Sequence, residues 1–243
     1  LASFGLAVTQ GAAIVETDVH LTRDGKLVLI HDELLERTTD GRGRITDHSL
    51  AELRQLDAGH QFDPAGDGSF PFRGRGLQIP TLEETLEAFP RQHFNVEIKE
   101  HIPALIEQTV AAVCKAGRED SVLLAAAEDP TMRDLRDHLR RCGAHPAISA
   151  SAGDVLAFVR SALDGTAPPP GPMALQVPPD FGGRPLVTRE FVAHAHAHGI
   201  VVHVWTINVP AEMHRLFDLG VDGVMSDFPA RVAAVIAERA AQG

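Results

Sequence analysis

Short apolar runs alternate with amphipathic stretches along nearly the whole chain, and that order restricts the fold more than any other feature. The runs are AAIVETDV (12–19), HFNVEIK (93–99), SVLLAAA (121–127), PAISAS (146–151), MALQVP (173–178), IVVHVWT (200–206) and GVMSD (223–227). The stretches around and between them predict helices over 2–10, 49–56, 81–88, 102–117, 130–142, 152–163, 188–198, 209–219 and 229–241. Thr81 with Glu84 three residues on is a capping-box pattern at one helix start. Strands separated by helices pair in parallel, so the class is α/β. The 243 residues match the usual size of one (β/α)8 barrel, about 250. No repeat or linker divides the chain, and a single domain over 1–243 is expected. The Pro-rich segment 164–172 reads as a stiff surface connection. Residues 57–80, rich in Gly, Pro and Asp, read as a long loop over the barrel mouth.

Composition removes several functions. A formal charge of −11 argues against broad nucleic-acid binding. No run of about 18 apolar residues is present, so no membrane insertion is expected. Cys114 and Cys142 make neither a disulfide framework nor a metal spacing. Buried thiols are expected, which favours the cytoplasm.

The chemistry concentrates at strand ends. Glu16 and Asp18 are two apart in an apolar strand and so share a face. Glu97 ends the next barrel strand, with Lys99 two residues further on. Like charges grouped on a half-buried strand are costly without a counter-ion. Oxygen donors select a hard divalent cation, magnesium, calcium or manganese, over zinc or copper, and magnesium or calcium is expected. After Asp18 the chain reads VHLTRDGKLVLIHD, and Asp24-Gly25 is a two-residue hairpin signal. In that register paired positions sum to 49, so Asp18 faces His31 and Glu16 faces Glu33. A histidine beside acids can move protons near neutral pH.

The segment IVETDVHLTRDGKLVLIHDELLERTTDGRGRITDHSLAELRQLDAG resembles the core signature of the glycerophosphodiester phosphodiesterase family. IPTLEETLE (79–87), NVEIKE (95–100), VVHVWTIN (201–208) and VDGVMSDFP (221–229) extend the resemblance in family order. It implies a (β/α)8 TIM-type barrel, one divalent cation, and hydrolysis of a small glycerophosphodiester to glycerol 3-phosphate and an alcohol. It also implies Glu16, Asp18 and Glu97 as metal ligands and His31 as a catalytic histidine. Lys99 then lies near the phosphate and Trp205 at the site wall. LASFGLAVTQGA resembles the family's first helix. The first strand, whose His-Arg-Gly motif carries the first of the family's two catalytic histidines, His31 matching the second, is therefore expected to be absent from residues 1–243. LLAAAEDP (123–130) stands where relatives often carry a Ser-Phe pair, and reads as a change in pocket lining.

Other motifs have plainer readings. RTTDGRGR (37–44) lacks the P-loop pattern and reads as a turn near the mouth, from which Arg37 can reach a ligand. Asp227 reads as a cap for the following helix. His194, His196 and His198 lie on one outer helix with no evident acid partner, so a solvated or capping role is expected. Two rival functions stand beside the enzyme: a non-catalytic phosphate-ester binding barrel, and a lipid-cleaving phosphodiesterase of the phosphatidylinositol phospholipase or sphingomyelinase D kind.

Overall fold

Every apolar run forms a parallel strand, and the helices between them cover the outer faces. The computed structural model describes residues 1–241. Its elements in chain order are α1 (Ala2–Thr9), β1 (Ile14–Leu21), β2 (Leu27–Leu29), α2 (Leu50–Leu53), α3 (Leu82–Ala88), β3 (His93–Ile98), α4 (Pro103–Lys115), β4 (Val122–Ala125) and α5 (Asp129–Cys142). They continue as β5 (Ala147–Ile148), α6 (Ala152–Asp164), β6 (Ala174–Val177), β7 (Asp180–Phe181), β8 (Arg184–Pro185), α7 (Arg189–Ala197), β9 (Val201–Val204), α8 (Pro210–Leu219), β10 (Gly223–Val224) and α9 (Pro229–Ala240).

The parallel strands run in the order β1-β3-β4-β5 and β6-β9-β10, and the bridge Ser149↔Ala174 joins the two groups. Among the described residues no pairing joins β10 back to β1, so the barrel is open at that seam. Ile14, on the seam edge, is half exposed.

Period two sorts the side chains. Phe94, Val96 and Ile98 of β3 and Val122 and Leu124 of β4 pack in one apolar cluster with α4 and α5. Leu175, Val177, Val202 and Val204 pack in a second with α6 to α8. The alternate residues, including Glu16, Asp18, Asn95, Glu97, Gln176 and His203, therefore face the barrel interior. Capping boxes start α2 at Ser49, α3 at Thr81 and α6 at Ser151. Each satisfies two otherwise unpaired N–H groups and contributes about 1 kcal/mol.

The β1-to-α3 connection carries β2, α2 and the irregular stretch 57–80. It leaves the C-terminal end of β1 and so lies on the face where such barrels hold their sites. A third apolar cluster, Val28, Leu35, Ile45, Leu53 and Ile79, anchors it. Asp57 folds the stretch on itself, accepting from Gly59 N at 2.9 Å and Gly74 N at 2.7 Å. Gly59 has no room for a side chain, because a Cβ there would meet Phe72 O at 2.4 Å.

Three expectations are corrected. The hairpin pairs Val19 with Leu29, His20 with Val28 and Leu21 with Leu27, so positions sum to 48 and not 49. Thr22 Oγ1 donates to Asp24 Oδ1 at 2.6 Å and accepts from Lys26 N at 2.8 Å. Those bonds close a three-residue loop whose last residue, Gly25, has φ 71°. Asp18 consequently opposes Ile30, whose N–H donates to Asp18 O, and Glu16 does not face Glu33. Cys142 is exposed and Cys114 half-buried, so the thiols, though unpaired, are not both buried. His196 does have an acid partner, Asp222, at 2.9 Å. A short hairpin, β7–β8, was not anticipated.

Candidate active site

Strand register builds the site. In the parallel β1–β3 ladder Asp18 lies beside Glu97, and Glu16 beside Asn95. One carboxylate oxygen from each of Glu16, Asp18 and Glu97 falls within 4.8 Å of the others. Lys99 Nζ closes the group, 2.9 Å from Asp18 Oδ1 and 3.2 Å from Glu97 Oε2.

The electrostatics follow from crowding. The Glu16 carboxyl is pushed up to about 8, first by burial and then by the charges of Asp18 and Glu97. Part of its side chain is exposed at the seam, yet protein atoms surround the carboxyl closely enough for desolvation to dominate. Burial alone would lower Lys99, but its hydrogen bond to Asp18 and the two carboxylate charges raise it. Lys99 is therefore a fixed cation. With all three acids ionised the group carries a net charge of about −2, which a divalent cation neutralises. Hard-ion ligand distances of about 2.0–2.6 Å put two oxygens on one ion no more than about 5.2 Å apart. The observed spacing meets that limit, and every donor is oxygen.

His31 lies past the end of β2 with its side chain exposed. Its Nδ1 donates to Asp32 Oδ1 at 2.6 Å, which leaves Nε2 available to exchange a proton. Arg37 grips both Asp32 oxygens. Its guanidinium, foremost among the causes, holds Asp32 well below the usual carboxylate range. Arg37 thus pairs with the carboxylate that orients His31, and its own side chain stays largely exposed. Trp205, at the end of β9, is 43 % exposed and so is not core packing.

Four further polar residues with bonds near these strands escaped the sequence reading. Asp32 follows His31 directly. His20 and Glu100 pair at 3.0 Å beside the site. His20 follows Asp18 at strand period, a signal that was available. Asn208 holds the end of β10: it donates to Asp227 Oδ2 at 2.7 Å and accepts from Ser226 Oγ at 2.9 Å. That bond corrects the expectation for Asp227, which does not cap α9. The cap position is Phe228, with no side-chain cap bond.

Carboxylates on two adjacent parallel strands, a lysine just past one of them and an acid-supported histidine past the antiparallel β2 define a barrel for phosphoester chemistry. Comparison with known proteins places the chain within that class. A model of the glycerophosphoryl diester phosphodiesterase family matches residues 1–231, and the chain belongs to that family. A glycerophosphodiester phosphodiesterase of Bacillus subtilis is 30% identical over 236 residues, covering 93% of this chain and 78% of that protein. A probable glycerophosphodiester phosphodiesterase of Mycobacterium tuberculosis is 31% identical over 238 residues, covering 93% and 80%. Among solved structures, an Oleispira antarctica phosphodiesterase in complex with the product sn-glycerol-3-phosphate superposes with a TM-score of 0.73 at 28% identity, covering 97% of this chain and 90% of that one. A glycerophosphoryl diester phosphodiesterase domain from M. tuberculosis reaches a TM-score of 0.81 at 20% identity, covering 97% and 91%, and attests the barrel fold. No helix among the described residues is long and apolar enough to cross a membrane.

Proposed function

We propose that this protein, as a single barrel domain, hydrolyses small glycerophosphodiesters to glycerol 3-phosphate and an alcohol. The observation that carries the reading is the convergence of Glu16, Asp18, Glu97 and Lys99 at adjacent strand ends in a chain of this family. Glu16, Asp18 and Glu97 would hold one magnesium or calcium ion. Such an ion polarises a phosphoryl oxygen and lowers the pKa of a bound hydroxyl. Lys99 supplies a fixed positive charge to the same phosphate. His31, its Nδ1 held by Asp32, exchanges the proton at Nε2 with an attacking or leaving oxygen. Attack by the neighbouring glycerol hydroxyl, then hydrolysis of the cyclic product, is the sequence of steps that suits these groups. Trp205 offers an apolar wall to the glycerol or alcohol moiety. Arg37 supports the site through Asp32, and its exposed side chain is free to reach a ligand. The two unpaired thiols suit a reducing compartment such as the cytoplasm.

The test is release of glycerol 3-phosphate from glycerophosphocholine and glycerophosphoethanolamine, with added magnesium or calcium and with chelator. Metal-dependent release that disappears in Glu97→Gln supports the reading. Tight phosphodiester binding without turnover under any metal would favour a binding protein instead.

A further inference from the structure

His20 is almost wholly buried, with 1 % exposure, and the chemistry above does not use it. It follows Asp18 on β1, at the point where β1, the exit of β3 and the loop after β2 meet. Its ring nitrogens face two acceptors on two different segments. Nδ1 lies 3.0 Å from Glu100 Oε2, just past β3. Nε2 lies 3.3 Å from the main-chain oxygen of His31. The second Glu100 oxygen faces Arg44 at 3.8 Å, and Arg44 also pairs with Glu33 at 2.9 Å. Arg44 is in turn bridged to Leu34, in the segment that follows His31.

The pairing of β2 with β1 ends at Leu29, and the Ile30 N–H bond to Asp18 O is the last ladder contact before His31. Beyond that point the main chain of His31 is tied to the carboxylate-bearing strands by His20. Asp32 and Arg37 fix the imidazole ring of His31 but not its main chain, because both belong to the same loop. A buried histidine whose two nitrogens lie 3.0 and 3.3 Å from a carboxylate and a carbonyl on separate segments packs between them and spaces them.

We propose that His20, braced by Glu100, is a positioning residue that sets the distance between His31 and the Glu16–Asp18–Glu97 group. The inference rests on His31 being the proton-transfer residue of the proposed function. Without the clamp the ring keeps its Asp32 partner but loses its place over the phosphate. Misplacement of about 1 Å can cost about 100-fold in rate. Substrate and metal are held by other residues, so the loss should fall on kcat and not on KM or on metal affinity.

The experiment compares His20→Ala, His20→Gln, Glu100→Met and His31→Ala, alone and combined, in the whole encoded protein. It reads kcat and KM for a glycerophosphodiester, metal affinity by calorimetry, and the melting temperature. His20→Ala and Glu100→Met are each expected to lower kcat about 10- to 100-fold, with KM and metal affinity within about threefold of wild type. Their double variant should lose no more than the worse single one, since both break one link. In a His31→Ala background, His20→Ala should change nothing further. Glu100→Met keeps the length of the side chain and removes its acceptor oxygens, so it reads the clamp even where His20→Ala melts early. An inactive His31→Ala beside fully active His20→Gln and Glu100→Met would overturn the clamp and leave the proposed function standing. Full activity of His31→Ala would overturn both. A rise in KM or loss of metal affinity with kcat unchanged would also refute the positioning role.

Discussion

Replacing Glu16 by Gln gives the sharpest test of how the carboxylate group works, because its effect should grow with pH and reverse with metal. The three carboxylates approach within 4.8 Å. At that distance two like charges repel by about 3.5 kcal/mol at an effective dielectric of about 20, and by about 0.9 kcal/mol in bulk water. Glu16 is partly exposed at the seam, so screening brings each pair to roughly 1–2 kcal/mol. Its carboxyl titrates near 8 in the folded protein, above the usual 4.5. Between those values the folded state holds a proton that the unfolded state has released. Stability of the metal-free protein therefore falls as pH rises through that window. At pH 4 Glu16 is mostly neutral in both the folded and the unfolded chain, and Glu16→Gln should melt within a degree or two of wild type. At pH 9 the charge is present in wild type and absent in the variant. The metal-free variant should then be more stable by roughly 1–3 kcal/mol, a rise of about 3–8 °C in melting temperature. Saturating magnesium or calcium reverses the order. Ligand at 1,000 times its dissociation constant stabilises wild type by about 4.1 kcal/mol, and the variant, lacking one ligand, should gain much less. Differential scanning calorimetry at the two pH values, with chelator and with metal, reads all four states. Equal melting of the two proteins in chelator at pH 9, together with equal stabilisation by metal, would refute the reasoning.

Other outcomes follow from single contacts. Asp32→Asn removes the carboxylate that orients His31, and kcat should fall at least about tenfold with unchanged metal affinity by calorimetry. Lys99→Met leaves Asp18 and Glu97 without their fixed cation. Steady-state kinetics should show kcat/KM lower by about 10²–10³, while the metal-free protein melts earlier. Leu124→Ala, at a fully buried position between β4 and the outer helices, should cost about 2–5 kcal/mol in urea unfolding without changing KM.

The strand-and-helix order was readable because β3, β4, β6 and β9 each carry an apolar set facing an amphipathic helix. The helix over 229–241 lies at Pro229–Ala240, and that over 130–142 at Asp129–Cys142. The carboxylate group was readable for a similar reason. Strand period puts Glu16 and Asp18 on one face, and parallel pairing brings Glu97 beside them. Side-chain bonds that decide loop length were not readable. Thr22 and Asp24 convert the Asp24-Gly25 signal into a three-residue loop, and one residue of slip removes His31 from the position opposite Asp18. Contacts distant in sequence were equally hidden. Asp222 finds His196 across 26 residues, and Asn208 draws Asp227 from its preferred capping role across 19. Two signals were present and unread. Gly182-Gly183 between Phe181 and Arg184 is a two-residue hairpin turn, and His20 shares the face of Asp18.

The account stands most directly on metal-dependent turnover at Glu16, Asp18 and Glu97. The decisive measurement is the initial rate of glycerol 3-phosphate release from glycerophosphocholine across a magnesium or calcium titration, for wild type and Glu97→Gln. Wild type should saturate with metal and fall to background in chelator. The variant should need far more metal and turn over at least about 100-fold more slowly. A wild-type rate indifferent to chelator, or a Glu97→Gln variant with the wild-type metal curve, would contradict the account.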